Sequence, residues 1–207
     1  MQITVDQVNR IAPPGWGSSA RRSQSKEVIP SINKYMNPDE YDFGPEETVL
    51  FLGNCLWECG FFLYLTEGAD GKAYEGSRVL GNTQPGDGPR FKGRGIIQVT
   101  GRKNYTDFSD YVGDPKIVTN PEIVAENFDY AALTGFWYWT TYYSRDTDRT
   151  CEDIALDESM TLEQRTYAIS GVINWGKENP PKEPNHMAKR LSYTKKTAEV
   201  LGVKWTP

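Results

Sequence analysis

The strongest constraint on the fold is an apolar segment from Thr48 to Thr66, in which Glu58 is the single charged residue. Its length is about that of a membrane-spanning helix. However, Asn54 and Glu58 lie near its centre, and the mean hydropathy of the chain is -0.62. A carboxylate in the middle of a bilayer is costly. The segment therefore predicts a buried core helix and no membrane insertion.

Glu58 is the first candidate for chemistry. Burying a lone carboxylate costs several kcal/mol, and the usual consequence is a raised pKa that keeps the group protonated. A carboxylic acid kept neutral in an apolar wall can serve as a general acid. Two other interpretations stay open: the side chain reaches solvent through a gap, or it pairs with an arginine of the chain.

Length and charge narrow the class of protein. With 207 residues the chain is predicted to form a single domain, 1–207, in which residues 1–27 are a less well-defined N-terminal extension. The net charge of -5 argues against general nucleic-acid binding. No basic segment followed by a short apolar run begins the chain, so we expect synthesis in the cytoplasm without a signal peptide. Nothing in the sequence suggests more than a monomer.

The cysteines and the single histidine predict no metal site. Cys55 and Cys59 are four positions apart, Cys151 is distant, and His186 adds no typical ligand spacing. Buried free thiols in a reducing compartment are the favoured interpretation. We therefore expect neither a metal nor another cofactor.

The rest of the pattern is mostly helical, with one long exception. Helices are predicted at 4–12, at 25–35, after Gly44-Pro45-Glu46-Glu47, and at 105–112, 121–139, 162–173 and 186–201. Residues 12–26 combine Pro, Gly and Ser with basic residues and predict a mobile loop. Residues 68–95 are rich in Gly, Pro, Asn and Asp, and loops of this length are usually functional or disordered. Short runs at Tyr74, at 79–80 and at 96–99 suggest small strands or hairpins.

Glu75 lies within this long loop, 17 residues after Glu58. A loop carboxylate that faces a helix carboxylate across a cleft is the arrangement that glycoside hydrolysis requires, with one acid for the leaving oxygen and one base for water. The chain has 28 acidic residues. A solvated surface position is therefore an equally simple interpretation of Glu75 alone.

Residues 93–105 read Gly-Arg-Gly-Ile-Ile-Gln-Val-Thr-Gly-Arg-Lys-Asn-Tyr. The region is basic, but the spacing of a phosphate-binding loop is missing. Its neutral hydrogen-bonding groups suit a substrate covered in hydroxyls and acetamides; they are Gln98, Thr100 and Asn104. Arg94 is expected to pair with a carboxylate, for which Glu75 is the candidate, and to keep it ionised as a base.

Two residues near the C-terminus complete the candidates. Asn174 follows an apolar helix and precedes Trp175-Gly176, where a helix C-cap is the structural alternative. Arg190 lies in the last predicted helix and could equally be a surface charge.

Together these segments resemble glycoside hydrolase family 19, whose members are plant-type chitinases and many bacteriophage endolysins. The resemblance rests on residues 93–105, on Tyr74-Glu75-Gly76, on Leu80-Gly81-Asn82-Thr83-Gln84-Pro85-Gly86-Asp87-Gly88 and on Ile173-Asn174, and it covers about 28 to 203. The fold it implies is mainly α, an α+β lysozyme-like domain. It would be helical and two-lobed, with a small β-hairpin region and a cleft between the lobes.

The resemblance also implies roles for residues. Glu58 matches the general acid of the family, Glu75 its general base, and Thr100 a hydroxyl that holds the attacking water. Other matches fall on positions that contact substrate or orient a carboxylate: Gln98, Asn104, Asn174 and Arg190. The implied reaction is inverting, with the two carboxyls about 6.5–9.5 Å apart so that a water fits between them.

The chain departs from the family pattern at two places. Trp57 and Cys59 stand where the family has histidine before the acid and serine or threonine after it. Trp175 replaces the first glycine of Asn-Gly-Gly, and its ring either reshapes a sugar subsite or points into the core. Neither change removes a candidate catalytic carboxylate.

Peptidoglycan is the predicted substrate, because the chain lacks the cysteine framework of secreted plant chitinases and carries phage-style motifs. Such an enzyme would act on the cell wall and need a holin or a secretion system to reach it. One alternative is a chitinase that acts on an N-acetylglucosamine polymer. Another is a glycan-binding protein without turnover. Whether the protein is a phage lysin or a toxin against rival cells stays open.

Overall fold

The computed structural model describes residues 1–16 and 22–207, and these are mainly helical, as predicted. The helices are α1 (Val5–Ile11), α2 (Arg22–Tyr35), α3 (Pro45–Glu58), α4 (Asp87–Arg90), α5 (Arg102–Val112), α6 (Lys116–Thr119), α7 (Ile123–Glu126), α8 (Phe128–Thr141), α9 (Cys151–Ala155), α10 (Leu162–Trp175) and α11 (Met187–Leu201). A short 3₁₀-helix spans Lys72–Tyr74.

Helix α3 begins where the sequence indicates and ends earlier than the apolar segment does. Gly44 is its N-cap and Pro45 occupies the first turn, where a missing N–H costs nothing. Its end is marked by three left-handed residues, Gly60, Phe61 and Phe62, with φ of 57°, 59° and 62°. The prediction of one helix through to Thr66 is therefore wrong, and Glu58 is the last helical residue. No helix in the described residues is long and apolar enough to cross a bilayer.

The core forms around α3, which packs on α11, α10 and α9, while α2 packs on α8. Residues 49–56 of α3 are all buried. Gly53 allows α11 to come close, since a Cβ at this position would stand 2.5 Å from Thr194 Oγ1. This close crossing brings the C-terminal end of α3, and with it Glu58, against α11.

The predicted small β-hairpin region is not confirmed. In the described part of the chain, extended pairing is limited to isolated bridges, Thr66 with Arg94 and Arg94 with Val99. Tyr74 belongs to the 3₁₀-helix, and residues 79–80 lie in a turn. Left-handed glycines recur through this region, Gly76 and Gly81 among them, and they bend the chain before a ladder can form.

Two other boundaries differ from the predictions. The loop expected at 12–26 includes residues 17–21, which lie outside the described residues, and from Arg22 onward the chain is helical in α2. The helix expected at 121–139 is two helices, α7 and α8. The break occurs because the Asn127 side chain accepts hydrogen bonds from the backbone N–H of Asp129 and Tyr130 and so caps α8.

Candidate active site

A cavity of about 370 Å³ lies where residues 97–104 face the C-terminal halves of α8 and α10. Several residues that the sequence predicted for substrate binding line this cavity: Gln98, Thr100, Asn104 and Asn174. Aromatic rings complete its wall, contributed by Trp137, Tyr138, Tyr142 and Trp175. Rings and neutral amides on one wall are the surface that a sugar chain needs for stacking and hydrogen bonding.

Local hydrogen bonds fix the polar groups of the cavity. Gln98 has a φ of 59°, and its Nε2 donates to the carbonyls of Tyr64 and Gly95 at 3.0 and 2.9 Å. Thr100 Oγ1 donates to the Gln98 carbonyl at 2.9 Å, and Asn104 Nδ2 donates to the Thr100 carbonyl at 2.9 Å. With their N–H and O–H groups bound to the backbone, these side chains present oxygen atoms as acceptors.

Glu58 pairs with Arg190 of α11. Glu58 Oε1 lies 2.5 Å from Arg190 Nη2, and the two side chains are 18 % and 3 % exposed. Neither this oxygen nor Arg190 Nη1 forms a hydrogen bond of normal geometry with a described residue. Of the interpretations that the sequence left open, pairing with an arginine is therefore the one observed. Arg190 is buried and is not a surface charge.

Arg190 connects Glu58 to the cavity wall. Its Nε donates to the Asn185 carbonyl at 2.9 Å, and the backbone N–H of Asn185 donates to Asn174 Oδ1 at 2.9 Å. Asn174 therefore belongs to a network with Glu58, and the C-cap of α10 is Gly176. The network orients the Asn174 amide, which lines the cavity.

Tyr138, which lines the cavity, contributes a fixed hydroxyl. Its hydroxyl donates to the Val172 carbonyl at 3.1 Å. Burial raises the pKa of Tyr138 well above its usual value, and the nearby charge of Glu58 adds to this effect. Tyr138 therefore stays a neutral hydrogen-bond donor at any physiological pH.

Glu75 is exposed and held by backbone amides. Its Oε1 and Oε2 accept hydrogen bonds from the N–H groups of Gly86 and Gly88 at 2.7 and 2.8 Å, at the start of α4. The expected pairing of Glu75 with Arg94 is wrong. Arg94 is buried and pairs with Glu122, its Nη2 lying 3.0 Å from Glu122 Oε1. Because backbone N–H groups already satisfy Glu75, it needs no cation.

Glu67 is a candidate that the sequence analysis missed. A methyl group on Gly93 would stand 3.4 Å from both Glu67 Oε2 and Thr100 Oγ1, and 3.1 Å from Gln98 Oε1. Glu67 is half-buried, and its Oε1 has no hydrogen-bond partner in the described structure. The sequence offered one signal for Glu67, namely that it is the first acidic residue after the apolar segment.

Tyr74 orients Glu67. The Tyr74 hydroxyl donates to Glu67 Oε2 at 2.9 Å. Burial, and then this hydrogen bond to the carboxylate, raise the pKa of Tyr74 and keep its hydroxyl protonated. Glu67 is thus a positioned carboxylate beside Thr100 and Gln98, whereas Glu75 caps a helix.

The residues that depart from the family pattern have separate environments. Trp57 stacks on Tyr193, with ring centroids 5.8 Å apart, and also contacts His186. Cys59 is buried and its thiol donates to the Cys55 carbonyl. Trp175 lines the cavity, so its ring reaches the candidate subsite. No group of His, Cys, Asp or Glu among the described residues is arranged to hold a metal ion.

Most of the chain matches a known protein family. The model of the family described as "Chitinase class I" matches residues 54–206. A glycosyl hydrolase family 19 domain-containing protein of Haemophilus influenzae is 35% identical over 94 residues, which cover 45% of this chain and 40% of that protein. The acidic 27 kDa endochitinase of Solanum lycopersicum is 27% identical over 124 residues, covering 56% and 49%. The chain thus spans less than half the length of either relative.

Solved structures share the fold over nearly the whole chain. Chitinase C from Streptomyces griseus aligns with a TM-score of 0.68 at 20% identity, covering 99% of this chain and 95% of that one. A class IV chitinase from Zea mays aligns with a TM-score of 0.64 at 20% identity and the same coverage. At this identity the likeness establishes the fold, and it agrees with the predicted lysozyme-like helical class.

Proposed function

The chain belongs to the chitinase class I family, which is glycoside hydrolase family 19, and on this basis we propose that it hydrolyses β-1,4 bonds between the amino sugars of peptidoglycan. The observation that carries the proposal is the network from Glu58 through Arg190 and Asn185 to Asn174, which joins a half-buried carboxyl to the wall of the cavity. A glycoside hydrolase requires such a positioned acid beside a groove for sugars.

In the proposed mechanism Glu58 protonates the glycosidic oxygen. Arg190 holds the carboxyl in place and favours its ionised form, so Glu58 has to take up a proton before it acts, and Arg190 then stabilises the carboxylate that remains after the transfer. A second carboxylate removes a proton from a water on the opposite face of the sugar, so the anomeric configuration inverts. Each transfer contributes about 10²–10⁴-fold to the rate.

Two carboxylates compete for the role of base. The family resemblance assigns Glu75, whereas the contacts favour Glu67, which lies near Thr100 and whose buried Oε1 has no hydrogen-bond partner in the described structure. The Thr100 hydroxyl donates to the Gln98 carbonyl, so its lone pairs can accept a hydrogen bond from the attacking water. We propose Glu67 as the base to test first, with Glu75 as the alternative.

The substrate is the finer part of the proposal. Peptidoglycan rests on the phage-style sequence motifs, and chitin on the relatives whose names include chitinase. A glycan-binding protein without turnover is the third possibility. If peptidoglycan is the substrate, the activity would be bacteriolytic, and the enzyme would be an endolysin or a delivered toxin. A holin or a secretion system would bring the monomeric enzyme from the cytoplasm to the cell wall.

Reducing-end release from purified peptidoglycan tests the proposal. We expect activity for the wild type and a loss of at least about 100-fold for Glu58→Gln. ¹H NMR of the first product should detect the inverted α-anomer. Circular dichroism and a thermal melt of each variant control for folding, because the substitution removes the ionic partner of a buried arginine.

Three other outcomes would each lead to a different conclusion about the protein. Full activity of Glu58→Gln would remove Glu58 from the mechanism. Release from chitin oligomers and none from peptidoglycan would identify a chitinase. Binding to either polymer without any release would favour the glycan-binding protein.

A further inference from the structure

Arg145, which follows α8, lies where two cavities meet. It lines the cavity of about 370 Å³ already described and a neighbouring one of about 670 Å³. The two share much of their wall: Val79, Leu80, Asn104, Trp137, Tyr142 and Arg145. The two cavities are therefore adjacent, are together called the long groove below, and have Arg145 in the wall that they share.

The loop after α10 holds the Arg145 guanidinium. The backbone N–H and Nε of Arg145 donate to the Gly176 carbonyl at 3.0 and 3.3 Å, and Nη2 donates to the Trp175 carbonyl. These partners are neutral. No Asp or Glu lies within ion-pair distance of Arg145 among the described residues, and Nη1 forms no hydrogen bond there. The cation is thus positioned, exposed and without a counter-ion.

The long groove otherwise carries no net charge. No acidic residue of the described chain lines the smaller cavity, where Arg145 is the one charged group. In the larger cavity Lys103 and Asp107 pair with each other. Arg145 therefore gives the groove a net positive charge, whereas the whole chain has a net charge of -5. An unpaired cation in a concave surface attracts an anionic ligand.

We propose that Arg145 binds a carboxylate of an anionic amino-sugar polymer and thereby selects peptidoglycan over uncharged chitin. The proposal rests on the glycosidase function proposed above. Arg145 Nη1 would donate a hydrogen bond to the carboxylate, and other guanidinium N–H groups could share their hydrogen bonds with it. The carboxylate belongs either to the lactyl ether of the sugar or to the peptide attached to it. Arginine suits this role because its planar donors match carboxylate geometry.

Kinetics on soluble oligosaccharides of equal length provide the test. The substrates are a peptide-free glycan with free lactyl carboxylates, the same glycan with its carboxyls reduced to alcohols, a peptide-bearing glycan, and an N-acetylglucosamine oligomer. The variants are Arg145→Gln, Arg145→Lys and Lys116→Gln. The last removes one charge from an exposed residue that lines neither cavity.

We expect Arg145→Gln to lower kcat/KM about tenfold on carboxylate-bearing glycans and less than twofold on the reduced glycan. Arg145→Lys should recover part of this loss, and Lys116→Gln should change neither substrate. A loss confined to the peptide-free glycan identifies the lactyl carboxylate as the ligand. A loss confined to the peptide-bearing glycan identifies a peptide carboxylate.

Other results would overturn the proposal. An equal loss on charged and reduced glycans would mean that Arg145 only holds the loop of Trp175 and Gly176. Hydrolysis of the N-acetylglucosamine oligomer alone, or no change in any variant, would remove Arg145 from substrate selection. If the wild type hydrolyses none of the four substrates, the proposed glycosidase function itself fails, and the selection by Arg145 fails with it.

Discussion

Two carboxylates of helix α3, Glu47 and Glu58, and two of the segment 66–101, Glu67 and Glu75, are held by opposite means. In α3, Glu47 accepts a hydrogen bond from Trp139 Nε1 at 2.9 Å across 92 positions of sequence, and Glu58 pairs with the still more distant Arg190. In the loop the partners are local. Glu67 binds a hydroxyl 7 positions away, and Glu75 binds backbone N–H groups 11 and 13 positions away.

This difference has a physical cause. A helix satisfies its own backbone, so a buried carboxylate without a partner one turn away on the same helix depends on neighbouring elements that packing brings to it. A loop leaves backbone N–H groups and nearby hydroxyls free, and a carboxylate can bind them without any help from the rest of the fold. The two carboxylates of α3 therefore depend on the whole fold, and Glu67 and Glu75 depend largely on their own segment.

We expect the largest effect on stability from Arg190→Gln, which tests whether Glu58 of α3 depends on a partner from a distant helix. It leaves Glu58 in a half-buried site without its counter-ion, and removal of one partner from a buried pair costs about 3 kcal/mol. Urea denaturation at pH 7 measures the change. Arg190→Lys, which keeps the charge, should cost less. Equal stability of Arg190→Gln and wild type would mean that Glu58 is satisfied by solvent.

Two variants, Glu67→Ala and Glu75→Ala, test which carboxylate of the segment 66–101 is the catalytic base. If Glu67 is the base, its loss should lower kcat about 100-fold, and Glu75→Ala should lower it less than tenfold. Added azide attacks without having to lose a proton, so it should restore turnover to the variant that lacks the base. Rescue of Glu75→Ala but not of Glu67→Ala would return the role to Glu75, as the family resemblance predicts.

Glu47 tests what burial does to a helix carboxylate that forms no ion pair with a described residue. Burial is the main cause that raises the pKa of Glu47 from 4.5 to about 7. Because the folded state binds this proton more tightly than the unfolded state, the stabilisation is complete below pH 4.5 and is lost as the pH rises to about 7.

Glu47→Gln should therefore be more stable than the wild type at pH 8, by about 2 kcal/mol, and gain little at pH 4. The amide can still accept the hydrogen bond from Trp139. Urea denaturation across this pH range checks the expectation. Glu40→Gln, at an exposed position, is the charge control. Parallel pH profiles for Glu47→Gln and the wild type would contradict it.

Gly93→Ala should have the smallest effect, and on activity rather than stability. Its methyl group would stand among Glu67, Gln98 and Thr100, where the attacking water is proposed to bind. We expect kcat/KM to fall by about three- to tenfold with little change in Tm. Gly68→Ala is the matched control, since a Cβ there meets nothing within 4 Å. Equal kinetics for the two variants would place the water elsewhere.

Much of the site could be predicted from the sequence because its polar residues are close together in the chain. Gln98, Thr100 and Asn104 lie within one short segment whose turns are local, and they line the same cavity. Asn174 joins them from α10. Glu67 was missed because a single acid after an apolar segment is common, and only its distance to Thr100 and Gln98 marks it.

The amino-acid sequence by itself determined the mainly helical class, the family and four polar residues that line the cavity, since helix signals and short motifs act over a few positions. The tertiary structure decided which side chains pair with each other. Arg190 for Glu58, Trp139 for Glu47 and Glu122 for Arg94 all come from distant segments. Which of many acids and cations meet is decided by how helices pack, and no local pattern encodes that choice.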